Sequence, residues 1–300
     1  MRFLFLQALS KEGNLSNFEA IYAGDENKCI MTNEAICNVS RVLTDSGISH
    51  AVFKTLRPYK STTVDIDTLI FGKKRNYLEA TRSLQKSGFK MVVVGPTSTT
   101  LRDPKSNIGV DLYEQVAVSY LIYMDKETLA DSVVSTKLSD TSISILKPEA
   151  DLAAIIAHSV VKEQMYTLSE YYTFINYLES LDIKHFLEIL KSNNLVSMAV
   201  THAGITGLLH KMAHKTAPRQ LLRILEHLTG ETREVSLLNQ NDLKTPHKYS
   251  ALTVAQALIE IMKGKKTRDS LAAQFLHMLD PNFSRKLFED SLKHLLRKTY

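Results

Sequence analysis

The stretch "STTVDIDTLIF", residues 61–71, decides how the chain is read. Val64, Ile66, Leu69, Ile70 and Phe71 mark it as a buried strand, yet Asp65 and Asp67 stand inside it one residue apart. Side chains alternate across a strand, so the two carboxylates project from one face and Ile66 from the other. Two like charges held that close repel and raise each other's pKa unless a cation lies between them. A divalent ion resolves the conflict. Mg²⁺ takes one or two protein carboxylates and completes its octahedron with phosphate and water oxygens, which is the arrangement phosphoryl and nucleotidyl transfer need.

Outward from this strand, the neighbouring segments read as an α/β unit. The apolar spacing of "TNEAICNVSRVLTDSG" (32–47) predicts a helix closed by glycine, and "SHAVFKTL" (49–56) a short strand. "KRNYLEATRSLQKSG" (74–88) predicts a second helix, and "FKMVVVG" (89–95) a strand stopped by Gly-Pro. "TSTTLRDPKSNIGVDLYE" (97–114) reads as two strands joined at Asp103-Pro104. Its second strand embeds a third acid, Asp111, among apolar residues, and Asp111 is the candidate to complete a metal site and activate an attacking hydroxyl.

After Val118 the pattern turns helical. "KPEADLAAIIAHSVVKEQMYTLSEYYTFINYLESL" (147–181) opens with Pro148 and Glu149, both suited to a first turn. Amphipathic segments follow, punctuated by Gly230, Thr245-Pro246, Gly264 and Asp280-Pro281. The expected organisation is α+β: an α/β domain with a mixed sheet over residues 1–130, then an all-helical domain over 131–300.

Composition narrows the class. No apolar run reaches the roughly 18–20 residues of a membrane span, so no membrane partner is expected. The start "MRFLFLQALSKEGN" lacks a small-residue cleavage site and reads as a first strand or helix of the fold. The two cysteines, Cys29 and Cys37, fit a reducing cytoplasm better than a disulfide scaffold. The net charge of +5 is uneven: residues 211–300 carry 16 Lys+Arg against 9 Asp+Glu. That excess suggests a polyanionic partner such as RNA.

"FKTLRPYKSTTVDIDTLIF" followed by "VDLYEQV" resembles the core of the DNA polymerase beta-type nucleotidyltransferase superfamily, and within it the uncharacterised and AbiEii-toxin-like members. "ISILKPEADLAAIIAHSVV" resembles the segment that begins their helical domain, so the resemblance spans roughly residues 49–175. It implies a nucleotidyltransferase-like fold, with Asp65, Asp67 and Asp111 as metal ligands and catalytic acids, and Lys54 as the family's lysine. It implies Mg²⁺ or Mn²⁺ as cofactor, binding of ATP or another NTP, and transfer of NMP to a hydroxyl, for which a tRNA-like RNA is the expected acceptor. The alternative is a catalytically silent relative that binds nucleotide or RNA as a regulator.

One departure favours that alternative. Family members place glycines after the first strand, where backbone amides cradle phosphates, whereas this chain has Lys54-Thr55 and no glycine between Gly47 and Gly72. The expected substitutes are Ser61, Thr62 and Thr63, with Lys54, Arg57 and Lys60 neutralising phosphate charge.

Weaker signals have plainer uses. His158, among Ile155, Ile156 and Val161, suits a buried histidine with one hydrogen bond. His210 and His214 have metal-pair spacing but adjoin Lys211 and Lys215, which favours a basic helical face. Tyr171, Tyr172, Phe174 and Tyr177 suit packing between helices. "KGKKTRD" (263–269) and "RKLFEDSLKHLLRKTY" (285–300) are the densest basic stretches and the candidate RNA contacts.

Overall fold

The computed structural model describes residues 2–230, 247–285 and 288–289. The basic closing stretch 285–300 and the Thr245-Pro246 break therefore lie almost wholly outside the described residues. The chain divides into two compact units, Met1–Val116 with Lys126–Lys147, and Ala117–Asp125 with Pro148–Tyr300.

The first unit opens with helices α1 (Arg2–Lys11) and α2 (Glu19–Asp45). The Arg2 guanidinium grips Asp25 of α2 at 2.9 and 2.5 Å. That hydrogen-bonded pairing holds the buried Asp25 carboxyl below its usual range. With the Phe3 ring 5.6 Å from that of Tyr22, it joins α1 to the part of α2 that precedes the apolar periodicity starting at residue 32. Strands β1 (His50–Val52) and β2 (Asp65–Ile70) follow, then α3 (Lys74–Lys86), β3 (Lys90–Val94), β4 (Ser98–Arg102) and β5 (Gly109–Tyr113). A short hairpin of β6 (Val116–Val118) and β7 (Leu121–Met124) comes next. A 3₁₀ turn over Lys126–Ser132 leads into β8 (Val133–Leu138) and β9 (Thr141–Leu146).

Seven strands form one mixed sheet in the order β3-β4-β5-β2-β1-β9-β8. β2 is therefore central. It runs parallel to β5 and antiparallel to β1, and β1 runs parallel to β9. One sheet face packs on the helices: Ile66 and Ile70 of β2 and Val110 and Leu112 of β5 join Ile36, Val39 and Leu43 of α2 and Leu84 of α3. Each such side chain contributes roughly 1.5–3 kcal/mol by leaving water. The far end of β2 is fixed by Lys126, whose buried ammonium donates to Ile70 O (3.0 Å) and Gly72 O (2.8 Å).

The architecture is the mixed-sheet α+β arrangement expected. The helical series, however, begins at Pro148 rather than near residue 130, because β8 and β9 form an antiparallel hairpin of this sheet. Ser139, at φ 52, makes the turn between them.

The second unit contains β7 and the helices α4 (Pro148–His158), α5 (Leu168–Tyr177), α6 (Ile183–Ser192), α7 (Val196–His214), α8 (Arg219–Thr229), α9 (Ala251–Ile261) and α10 (Lys265–His277). The helix expected to run through 147–181 is interrupted. A π turn over Ser159–Glu163 ends at Gln164 in the left-handed region (φ 54), and Met165–Tyr166 (β10) then pairs with His247–Lys248 (β11). Thr167 restarts the helix with a capping box to Glu170. Tyr171, Phe174 and Tyr177 are buried and Tyr172 is exposed, so three of the four aromatics pack inside. Among the described residues no helix is long and apolar enough to cross a membrane.

Candidate active site on the central strand

The paired aspartates sit on the sheet face opposite the helices. Ile66, Thr68 and Ile70 are buried on the helix side, and Asp65 and Asp67 are half-buried on the other. The parallel register places Asp67 directly across from Asp111, and Asp65 across from Gly109. The antiparallel register then places Thr100 of β4 across from Asp111. Thr100 Oγ1 donates to Asp111 Oδ1 at 2.5 Å. One row of the face thus reads Thr100, Asp111, Asp67, and the adjacent row reads Arg102, Gly109, Asp65.

Lys54, just beyond β1, reaches this face. Its Nζ lies 3.4 Å from Asp67 Oδ2, with the lysine side chain 4% exposed. The ammonium also lies 4.6 Å from the Phe53 ring centroid and 4.9 Å from that of Tyr113, both within cation–π range. Lys54 adopts φ 58, a conformation that costs a non-glycine residue about 1–3 kcal/mol. The ion pair and the two rings hold it there. Lys54 is the residue expected from the sequence to match the resembled family's lysine.

The segment 53–64 joins β1 to β2 without regular structure. Thr55 Oγ1 accepts from Asp67 N at 2.8 Å, and Thr63 Oγ1 donates to Asp65 O at 2.8 Å, so two threonine hydroxyls pin the segment to the acid strand. Arg57, Ser61 and Thr62 are half-buried, and Lys60 is exposed. Lys60 lies close enough to Cys29 of α2 to offset in part the rise that burial imposes on that thiol's pKa.

Three half-buried carboxylates on one face are hard oxygen ligands, and a buried ammonium is already drawn to one of them. The residue types are those that a divalent ion takes. Their arrangement is another matter: among the described residues, no three His, Cys, Asp or Glu side chains are placed together to hold a metal.

Sequence reasoning missed Thr55, Thr100 and Gly109. The signal for Thr100 was the polar alternation of "STTLR" (98–102), which becomes informative only once β4 is paired with β5.

The remaining candidates lie in the second unit. His158 is half-buried, with Nδ1 3.3 Å from the Tyr123 hydroxyl and Nε2 3.4 Å from Glu163 Oε1. His210 Nδ1 lies 3.0 Å from the Tyr171 hydroxyl, and its ring centroid is 4.4 Å from that of His214. Burial, then His214, lowers the His210 pKa. In the basic stretch, Lys266 pairs with Asp125 at 2.7 Å. Arg268 Nη1 donates to Met262 O and Lys263 O at 3.1 and 2.6 Å, capping the end of α9. Two of its cations are therefore engaged within the unit.

No protein-family model matches the chain, and no curated protein matches it. Solved structures give remote likenesses. An antigenic nucleotidyltransferase-like protein from Paracoccidioides brasiliensis is 12% identical at TM-score 0.35, covering 56% of this chain and 88% of its own. A STING-associated CdnE c-di-GMP synthase from Capnocytophaga granulosa is 15% identical at TM-score 0.35, covering 91% and 92%. The Thermotoga maritima CCA-adding enzyme, complexed with tRNA, is 10% identical at TM-score 0.25, covering 83% and 72%. Likenesses this remote leave the functional reading to the site.

Proposed function

We propose that the chain is a metal-dependent nucleotidyltransferase that moves a nucleoside monophosphate from an NTP to a hydroxyl acceptor. The observation that carries this reading is the placement of Asp67 across from Asp111, with Asp65 on the same face of the central strand. Asp65, Asp67 and Asp111 would hold Mg²⁺ or Mn²⁺, which when bound supplies charge neutralisation at the phosphates. Asp111, its Oδ1 held by Thr100, takes the proton of the acceptor hydroxyl. The acceptor oxygen bonds to the α-phosphorus, the α–β bridging bond breaks, and pyrophosphate leaves with that electron pair. Lys54, Arg57 and Lys60 supply positive charge for the phosphates, and Ser61, Thr62 and Thr63 line their approach.

RNA, tRNA-like in form, is the proposed acceptor, on the strength of the basic excess in residues 211–300. The test is incubation with labelled NTPs, Mg²⁺ or Mn²⁺ and total cellular RNA, for the intact chain and Asp65→Ala. Labelled RNA is expected from the intact chain, reduced at least ~100-fold in the variant. Equal labelling by both would sink the site. Label on another acceptor would remove RNA alone.

The second reading, a silent nucleotide-binding relative, is favoured by the Lys54–Asp67 pair and the glycine-free segment beside it. Tight NTP binding by calorimetry, with no turnover on any acceptor, would establish it.

A further inference from the structure

Lys54 is set against Asp67 by the backbone of residue 67 itself. On one side of the lysine, Phe53 N donates to Asp67 O at 3.1 Å; on the other, Asp67 N donates to Thr55 Oγ1 at 2.8 Å. Thr55 Oγ1 in turn donates to Phe53 O at 3.3 Å, which closes the turn around the lysine. With both neighbours fixed, Lys54 takes φ 58 and its ammonium comes to lie 3.4 Å from Asp67 Oδ2. We propose that this ammonium is a built-in counter-ion that competes with a divalent cation for Asp67, so that the acid face takes metal only when the lysine swings away. That role rests on the metal-dependent reading of Asp65, Asp67 and Asp111.

The seat of the ammonium suits a lysine better than a metal. Phe53 and Tyr113, both buried, meet edge to face with their ring centroids 5.4 Å apart. Lys54 Nζ lies 4.6 Å from the first centroid and 4.9 Å from the second. Ring faces attract an ammonium through their quadrupole, whereas Mg²⁺ demands oxygens in an octahedron, which an aromatic face does not offer. Two of the three groups around this seat therefore favour the lysine alone.

Burial strengthens the competition. The lysine side chain is 4% exposed and that of Asp67 16%, so their attraction is screened less than it would be at the surface. Asp67 stands across from Asp111 and shares its face with Asp65, so the ammonium offsets repulsion among these carboxylates. Two acids on a central strand thus have an internal answer before any ion arrives. A divalent ion at Asp67 would meet the ammonium at close range, as like charges, and one of them must leave. The lysine can, because its four-carbon stem rotates while the backbone bonds on either side of it stay in place.

The test is titration with Mn²⁺ alone, followed by the spin-resonance signal of the free ion. It is run on the intact chain, Lys54→Met, Asp67→Asn and the double variant. Methionine keeps an unbranched stem against the two rings and removes the charge. Thermal unfolding without metal checks that each variant folds, and Lys54→Gln stands in should Lys54→Met fail. Lys54→Met should bind Mn²⁺ at least ~10-fold more tightly than the intact chain. In the Asp67→Asn background the same substitution should bring no gain, because the lysine then has no carboxylate to withhold. Equal affinity of the intact chain and Lys54→Met would overturn the competition and leave the metal-dependent reading in place. An equal gain in the Asp67→Asn background would also overturn it, by showing that Lys54 repels the ion from a distance. Absence of Mn²⁺ binding by both the intact chain and Lys54→Met would sink the metal-dependent reading together with this role.

Discussion

β2 and β3 belong to one sheet and invert the expectation their sequences raise. β2, "DIDTLI", carries two carboxylates and is the central strand. β3, "KMVVV", is nearly all apolar and is the sheet's edge strand, exposed at every residue. Position in the sheet, not hydrophobicity, decides what is buried. At the centre, Ile66 and Ile70 are sealed under α2 and α3 while the acids emerge on the opposite face. At the edge, Val94 remains 66% exposed. The difference shows where the chain accepts an energetic cost: charge is kept at the centre of a buried layer, and apolar surface is left where it contributes little.

The largest expected effect comes from the same truncation made in both strands. Ile66→Ala should cost about 2–5 kcal/mol, because it deletes buried methylenes in a packed layer. Val94→Ala should cost less than about 0.5 kcal/mol. Urea unfolding of both variants measures this. Comparable losses would mean that β3 is covered in solution, and the contrast between the strands would fail.

A second variant tests the charge at the centre. Asp67→Ala removes the carboxylate that lies 3.4 Å from the buried Lys54 ammonium. Breaking a buried pair costs roughly 3–5 kcal/mol. Asp67 keeps 16% exposure, so about 2–3 kcal/mol is expected after allowing for that solvent access. Adding Lys54→Met should restore most of the loss in the same unfolding experiment. If Asp67→Ala is neutral, Lys54 is held by its aromatic neighbours rather than by the acid.

Asp103, at the turn joining β4 to β5, gives the next effect. Burial alone would raise its pKa, but the hydrogen bonds from Ser106, Asn38 and Lys105 outweigh it and hold the carboxyl below the usual value. A depressed folded pKa means stability present above the unfolded pKa of about 3.9 and lost as pH falls through the folded value. Asp103→Ala should therefore cost about 2 kcal/mol at neutral pH. The gap should narrow as unfolding is followed below about pH 4. A gap that does not vary with pH would remove the carboxylate's charge from the explanation.

The parts of the fold legible in the sequence were those whose period was unambiguous. Ile66, Thr68 and Ile70 against Asp65 and Asp67 give a clean alternation, and so do Val110 and Leu112 against Asp111. The common face of the three acids follows from that alternation, but only the register sets Asp67 across from Asp111 and Thr100 beside it. The hairpin of β8 and β9 is not legible in the sequence, although "TSISIL" (141–146) alternates, because "VVSTKL" beside it does not alternate and none of its residues is fully buried. The early half of α2 was missed for a similar reason. Residues 19–31 carry a weak apolar pattern, and their anchors come from elsewhere in the chain: Arg2 on Asp25 and the Phe3 ring 5.6 Å from that of Tyr22.

The smallest expected effect on stability is also the sharpest test of the edge. Val94 pairs with Thr99, on the sheet face opposite Asp111, and carries little packing. Val94→Lys should thus leave unfolding within about 0.5 kcal/mol of the parent chain and leave the acid face undisturbed. An exposed apolar edge offers unpaired backbone groups to another chain, and a lysine on the edge is a common way of blocking that pairing. Irregular register between Met91 and Val93 already twists this edge, which limits pairing without preventing it. Sedimentation over a range of concentrations should show the parent chain associating more than Val94→Lys. Identical behaviour would mean that the bulge alone protects β3, whereas a variant destabilised by several kcal/mol would mean that Val94 is a core residue and that centre and edge do not differ as described.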